Sequence, residues 1–180
     1  MEDAEVPTEG LQEELHHQAT HSHPRDRWIA WVALSSALFA ALAAVGALLS
    51  GHHANESMLE QLHASDHWAE YQSKSIKAAI LRSRLSLLGA FGKETPKADE
   101  DKAKQYEFQQ AEISKEAKNE EQESAVHLAI HQIYARSVTF SQIAIALGAI
   151  AALSRKKRFW FIALGSGGMG VVFLVQGFLH

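Results

Sequence analysis

Residues 28–49 read WIAWVALSSALFAALAAVGALL, and this stretch decides the fold of the chain. It contains 22 residues and no charge. About 20 apolar residues in a helix are enough to cross the ~30 Å hydrocarbon core of a bilayer. The run starts too late and is too long for a signal peptide, and no small-residue cleavage site accompanies it. It therefore predicts a first transmembrane helix over residues 28–50.

Two further uncharged stretches predict two more membrane helices. Residues 138–153 read VTFSQIAIALGAIAAL, and residues 159–179 read FWFIALGSGGMGVVFLVQGFL. Because the first of these is short for a span, we expect its helix to cover 134–154. Aromatic rings favour the headgroup level, and four of them stand at span ends: Trp28, Trp31, Phe159 and Trp160. The chain is predicted to be an all-α membrane protein with three transmembrane helices.

The short turn at residues 155–158, Arg-Lys-Lys-Arg, sets the predicted orientation. Lys and Arg in short loops mark the cytoplasmic side of a membrane, whereas charges in loops longer than about 60 residues count little. The basic turn and the N-terminus are therefore expected in the cytoplasm. Residues 51–137 and the C-terminus are expected outside it, which in a bacterium means the periplasmic side of the inner membrane.

Composition excludes some classes of function. The chain has no cysteine, so disulfides and thiolate chemistry are excluded, and its net charge of -4 argues against nucleic-acid binding. Residues 1–27 form an acidic tail without an apolar stripe, and we expect it to be largely disordered. Its histidines, His16, His17, His21 and His23, are interpreted as part of a polar tail, with metal binding as the alternative.

Residues 51–137 carry two heptad-like patterns that predict a long antiparallel, coiled-coil-like hairpin outside the bilayer. The first pattern is Met58, Leu62, Ser65, Ala69, Gln72, Ile76, Ala79 and Ser83. The second is Ala103, Tyr106, Gln110, Ile113, Ala117, Glu120, Ser124, His127, His131 and Tyr134. The tip is expected near residues 89–96, with Thr95 capping the second helix and Pro96 at its first position. Phe91 there is either part of an ordinary turn or a contact point for another protein.

Two pairs of histidines are candidate metal ligands: His63 with His67, and His127 with His131. Residues four apart share a face of a helix. Pairing residue 50 with residue 138 places His63 beside Ala125 and His127 beside Gln61, so the pairs would face each other with Glu60, Asp66 and Glu123 nearby. Imidazole and carboxylate suit divalent metals such as zinc or iron. The alternative is two ordinary sets of polar helix residues.

A cluster of aromatic and cationic side chains is the other candidate binding surface: Trp68, Tyr71, Gln72, Lys74 and Lys77. It is either a face for an anionic or carbohydrate ligand or a packing surface against the returning helix around residues 116–121. In the second case Lys74 and Lys77 would meet acidic partners.

Small residues form stripes along the predicted spans. Ala144, Gly148 and Ala152 are four apart, and Ser166 and Gly170 repeat the spacing in the third span. Such stripes allow close helix packing and self-association, so we expect a homo-oligomer. The three uncharged stretches (28–49, 138–153 and 159–179) hold no acidic or basic residue, which gives a proton relay or an ion-coupled transporter little support.

Three blocks of sequence resemble a known family. They are SGHHANE at residues 50–56, WAEYQSKSIK at 68–77 and FSQIAIALGAIAAL at 140–153, followed by the basic turn and the last span. Over residues 28–179 the chain is similar to an uncharacterised bacterial membrane family labelled domain of unknown function 4337. The resemblance implies an inner-membrane protein and supplies no activity, cofactor or catalytic residue. The histidine pairs are not part of the family pattern.

Three hypotheses for function follow. No phosphate-binding loop, nucleophile elbow or zinc-protease motif occurs, so we expect no enzyme, no catalytic residue and no cofactor. The first hypothesis is a non-catalytic membrane scaffold that self-associates or docks a protein partner through the hairpin. The second is a periplasmic metal-binding or sensing module that uses the histidine pairs. The third is a small channel or transport accessory subunit.

Overall fold

A computed structural model describes residues 27–179 of the chain, together with Gly10, Glu13 and Glu14. The described residues form an all-α fold with three long helices: α1 (Arg27–Ala90), α2 (Lys97–Ser154) and α3 (Lys157–Phe178). Each contains a stretch long and apolar enough to cross a membrane. The four histidines of the predicted tail, and most of its other residues, lie outside the described residues.

The turns between the helices follow from local backbone chemistry. Gly92 adopts φ +66°, a left-handed conformation that costs glycine little, and it ends the first helix. The Thr95 hydroxyl donates to Glu100 Oε1 at 2.6 Å, and α2 begins at Lys97, one residue later than the sequence predicted. At the basic turn Arg155 has φ 51°, and α3 begins at Lys157, inside the segment predicted as a turn.

The chain divides into two compact units. Among the residues of the three long helices and their turns, the three-helix unit consists of residues 27–53 and 129–179, and the hairpin unit is Ala54–Leu128.

The three-helix unit buries several serines beside its apolar core and exposes many large apolar side chains. Ser36, Ser137 and Ser141 are 1–2% exposed. The large side chains that point outward include Leu34, Leu38, Leu48, Phe161, Ile162 and Val172, each more than half exposed. Water selects the opposite distribution, whereas lipid tails solvate Leu and Phe and favour small residues between helices. This distribution is compatible with a multi-pass membrane protein.

The hairpin unit pairs α1 with α2 in antiparallel orientation. Ser124 Oγ donates to the Ser57 carbonyl oxygen at 2.8 Å, and Arg82 Nε donates to Glu107 Oε1 at 3.0 Å. Between these contacts the most deeply buried side chains of the seam are alanines, with Ala64 and Ala117 fully buried and Ala78 2% exposed. The pattern predicted for the second arm is confirmed, because every one of its members is buried or half-buried.

The pattern predicted for the first arm is wrong. All eight of its members, from Met58 to Ser83, are exposed, so none of them is buried in the seam. A row of buried and half-buried positions of this arm also follows steps of three and four: Ser57, Glu60, Ala64, His67, Tyr71, Lys74, Ala78, Leu81, Leu85 and Leu88. The prediction followed the more apolar face of α1, whereas the partner helix packs on a face that mixes small, polar and leucine side chains.

The predicted pairing of the two arms is also wrong, by about one heptad. Ser57 lies opposite Ser124, whereas the expected pairing placed a residue near position 131 there. A shift of seven residues keeps every a and d position on the seam. The heptad pattern therefore could not distinguish the two registers.

Candidate metal and interaction surfaces

The four candidate histidines have different surroundings. His131, in the three-helix unit, places its Nδ1 2.9 Å from Ser50 Oγ and 2.8 Å from the Ser50 carbonyl oxygen. In the hairpin unit, His67 Nδ1 lies 3.8 Å from Glu116 Oε2. His127 is half-buried on the seam, and His63 is exposed. The prediction that His63 lies beside Ala125 is wrong, because the two arms pair in a different register; His63 instead lies near Glu60 and Glu120.

His63 belongs to a cluster with two carboxylates. One ligand atom each from Glu60, His63 and Glu120 lie within 4.8 Å of one another. Glu60 and His63 are three apart on α1 and share a face, and Glu120 comes from the seam of α2. Sequence reasoning named Glu60 and His63 but missed Glu120, because the expected register brought Glu123 to this place instead.

The two carboxylates of this cluster influence each other. A side-chain hydrogen bond with Glu120 is the main cause that raises the pKa of Glu60 above its usual value, and partial desolvation and the negative charge of Glu120 act in the same direction. His63 and His127 oppose this shift. The cluster therefore favours a proton, or another cation, between the carboxylates.

The aromatic and cationic cluster is mostly used in packing between the arms. Trp68 Nε1 donates to Glu121 Oε1 at 2.8 Å, and the Trp68 and Tyr71 rings meet edge to face at 5.5 Å. Lys74 Nζ lies 5.7 Å from the centre of the Tyr106 ring, a cation–π contact. The other two members, Gln72 and Lys77, are exposed. Trp68 and Lys74 thus contact the returning helix, and Tyr71 contacts Trp68, so these three side chains take part in packing.

The exposed side of α1 in the hairpin unit carries an apolar stripe. We call it the outer stripe, and it consists of Met58, Leu62, Ala69, Ile76, Ile80 and Leu87. Its five large members are each more than half exposed. Its spacing of four and seven residues keeps them on one face of the helix. Towards the tip the stripe borders an apolar groove of about 670 Å³, which Phe91, Arg84 and Lys93 also line.

The predicted small-residue stripes lie inside the three-helix unit. Ala144, Gly148 and Ala152 are buried, and a Cβ at Gly148 would lie 2.6 Å from Ser36 Oγ of α1. The Ser166 hydroxyl donates to the Phe140 carbonyl oxygen at 2.9 Å. Gly170 is buried, and its carbonyl oxygen accepts a 2.7 Å hydrogen bond from the Ser137 hydroxyl. These residues bring the helices of one chain together.

Taken together, the described residues define a class: all-α proteins with three helices long and apolar enough to cross a membrane. The chain belongs to the family described as domain of unknown function (DUF4337), whose sequence pattern matches residues 28–180. The resemblance carried by the three sequence blocks is thereby confirmed. No curated protein and no solved structure shows significant similarity to the chain.

Proposed function

We propose that this protein is a non-catalytic membrane scaffold that self-associates through the outer stripe of its hairpin unit. The observation that carries the proposal is the stripe itself. A helix at a protein surface normally presents polar residues to water on the side away from its partner. Here α1 packs on α2 with one face and exposes large apolar residues on another. Contiguous exposed apolar surface marks sites of interaction.

A second copy of the chain suits this surface because the stripe matches itself. In a two-fold assembly whose axis runs parallel to α1 of the hairpin unit, each residue of the stripe lies at the same height as its counterpart in the other copy. Met58 would then meet Met58, and Ile80 would meet Ile80. Two basic side chains of this arm are already paired within the chain: Arg84 Nη1 lies 3.0 Å from Asp99 Oδ2, and Lys74 Nζ lies 3.7 Å from Glu70 Oε1. These pairs reduce the repulsion between two copies of an arm that carries five Lys or Arg over residues 71–93.

The energies involved are of the right order. Fully burying a Leu, Ile or Met side chain contributes about 1.5–3 kcal/mol, and these five are roughly 60% exposed, so covering them contributes roughly 5–9 kcal/mol per copy. Association of free molecules costs about 4–15 kcal/mol. Anchoring in a membrane lowers that cost, because it restricts the copies to one plane before they meet.

For the location, we propose a multi-pass protein of the bacterial inner membrane with the hairpin unit on the periplasmic side. Arg155 to Arg158 are exposed and join two of the candidate spans, which supports a cytoplasmic turn. The outward-facing apolar side chains of the three-helix unit support direct contact with lipid.

The test compares two charge insertions at equally exposed positions. Ile80 is 62% exposed on the stripe and Phe108 is 67% exposed on α2 away from it, so neither Ile80→Glu nor Phe108→Glu disturbs the seam. Sedimentation equilibrium of the full chain in density-matched detergent should give multiples of 19.8 kDa. Ile80→Glu should weaken assembly about tenfold or more, and Phe108→Glu should leave it unchanged. A monomeric wild-type chain, or equal effects of the two variants, would refute the proposal.

A further inference from the structure

One layer of the hairpin seam contains charge where its neighbours contain small side chains. On one side of it Ser57 Oγ lies 3.1 Å from Ser124 Oγ, and on the other Ala64 and Ala117 are fully buried. Between these layers the seam positions are occupied by carboxylates, Glu60 from α1 and Glu120 from α2. Because the adjacent layers are small, the arms come close together and the two carboxylates are brought into each other's reach.

The sequence around this layer supplies no basic side chain from α1 to neutralise it. Residues 54–70 contain four acidic residues and no Lys or Arg. The same arm is basic further along, with five Lys or Arg and no acidic residue over 71–93. Two carboxylates that face each other disfavour double ionisation unless a cation lies between them. The imidazole of His63 offers a nitrogen ligand beside them.

The three side chains offer the ligand set of a metal centre. Their ligand atoms lie within 4.8 Å of one another, and bonds of about 2.0–2.2 Å to a common ion require ligand atoms roughly 3–3.5 Å apart. His63 is exposed, so its side chain is free to close that difference by rotation. Glu60 and Glu120 are held by helices on opposite sides of the seam, so an ion would also cross-link the arms.

We infer that Glu60, His63 and Glu120 bind one divalent transition-metal ion of the zinc and manganese class, with water completing its coordination. One imidazole with two carboxylates favours such borderline ions over magnesium and calcium, which prefer oxygen ligands alone, and over copper(I), which prefers sulfur. The site differs from the predicted one, because His63 is the only member of the two histidine pairs that it uses. It lies on the seam and not on the outer stripe, so it does not depend on the proposed self-association.

The test measures Zn²⁺, Mn²⁺ and Co²⁺ binding to the full chain in detergent by titration calorimetry, with Co²⁺ absorption as a report of nitrogen ligation. The background carries Gln in place of His16, His17, His21 and His23, which removes the other cluster of histidines. We expect one ion per chain. His63→Asn and Glu120→Gln should each weaken binding about tenfold or more, since even indirect partners of metal ligands contribute about 10–100-fold.

His67→Asn is the matched control, because His67 lies one turn further on the same helix and pairs with Glu116 outside the cluster. It should leave the affinity unchanged. Circular dichroism verifies that each variant remains helical, and Glu120→Gln keeps the shape of the side chain. Absence of stoichiometric binding, an equal loss in His67→Asn, or binding that survives His63→Asn together with Glu120→Gln would overturn the inference. Binding of Mg²⁺ or Ca²⁺ that does not respond to His63→Asn would overturn the assigned class of metal.

Discussion

Gly167→Ala is expected to destabilise the three-helix unit, whereas Gly168→Ala at the next position is expected to stabilise it. A Cβ at Gly167 would overlap three atoms of the Phe39 ring, and a Cβ at Gly168 would meet nothing within 4 Å. Phe39 is itself buried in a cluster with Ala144 and Ile145, so its ring has little room to move. The two variants therefore add the same methyl group to the same helix, at a crowded position in one case and at an open position in the other.

The magnitude follows from two terms. Replacing glycine by alanine inside a helix stabilises by about 0.5–1 kcal/mol, and this gain is common to both variants. Overpacking costs about 1–3 kcal/mol and applies to Gly167→Ala alone. The variants should therefore differ by about 1–3 kcal/mol in the free energy of unfolding, towards the upper end because the contact involves a buried ring. Unfolding of the full chain by a denaturing detergent in mixed micelles, followed by circular dichroism, measures this difference. Equal midpoints for the two variants would show that α3 does not pack on Phe39 in this way.

Three other changes test other parts of the chain. Because the chain lacks cysteine, single cysteines at Lys93 and Lys157 should label from opposite sides of intact cells, and labelling from one side would exclude the proposed topology. The raised pKa of Glu60 means that the folded chain binds a proton at this carboxylate more tightly than the unfolded chain does. The resulting stabilisation of the fold is complete below the ordinary carboxyl pKa and is lost as the pH rises through the raised pKa. Glu60→Gln should therefore weaken the dependence of the thermal unfolding temperature on pH in the acid range, measured with a chelator present. An unchanged pH dependence would contradict the raised pKa of Glu60. His131→Ala should cost about 0.5–1.5 kcal/mol in the same detergent titration, because it removes the imidazole partner of the buried Ser50 while the Ser50 hydroxyl keeps its contact with the carbonyl oxygen of residue 131, and an unchanged midpoint would contradict the imidazole contact.

The sequence was sufficient to predict the helices and one side of the hairpin seam. Uncharged runs of membrane-spanning length are rare in other contexts, so the three apolar segments were unambiguous. On α2 the seam was read correctly, since Ile113 and Tyr106 coincide with the buried side and charged residues fill the rest. On α1 two faces have heptad spacing, and the one with Met58 and Ile76 is the more apolar. Hydrophobic periodicity selected that face, although the partner helix packs on the other.

The candidate metal cluster shows why side-chain sites are harder to predict than helices. Glu60 and His63 are close in sequence, so their shared face was predictable from helical geometry alone. Glu120 comes from the other arm, and its position depends on a register that a heptad repeat leaves open by multiples of seven. The register is chosen by particular layers, such as Ser57 against Ser124 and Ala64 against Ala117, where small groups fit and hydrogen bonds form.

In the hairpin unit, the positions of the large apolar side chains link the stability of the unit to its self-association. The seam buries alanine and serine, and a buried methylene group contributes only about 0.8 kcal/mol. The larger side chains, including Leu62, Ile76 and Ile80, lie outside, where they add nothing to the fold of a single chain. Whatever covers the outer stripe therefore supplies a large share of the apolar burial available to this unit. Under the proposed self-association, Ile80→Glu should lower the stability of the hairpin in the assembled protein but not that of the isolated monomer.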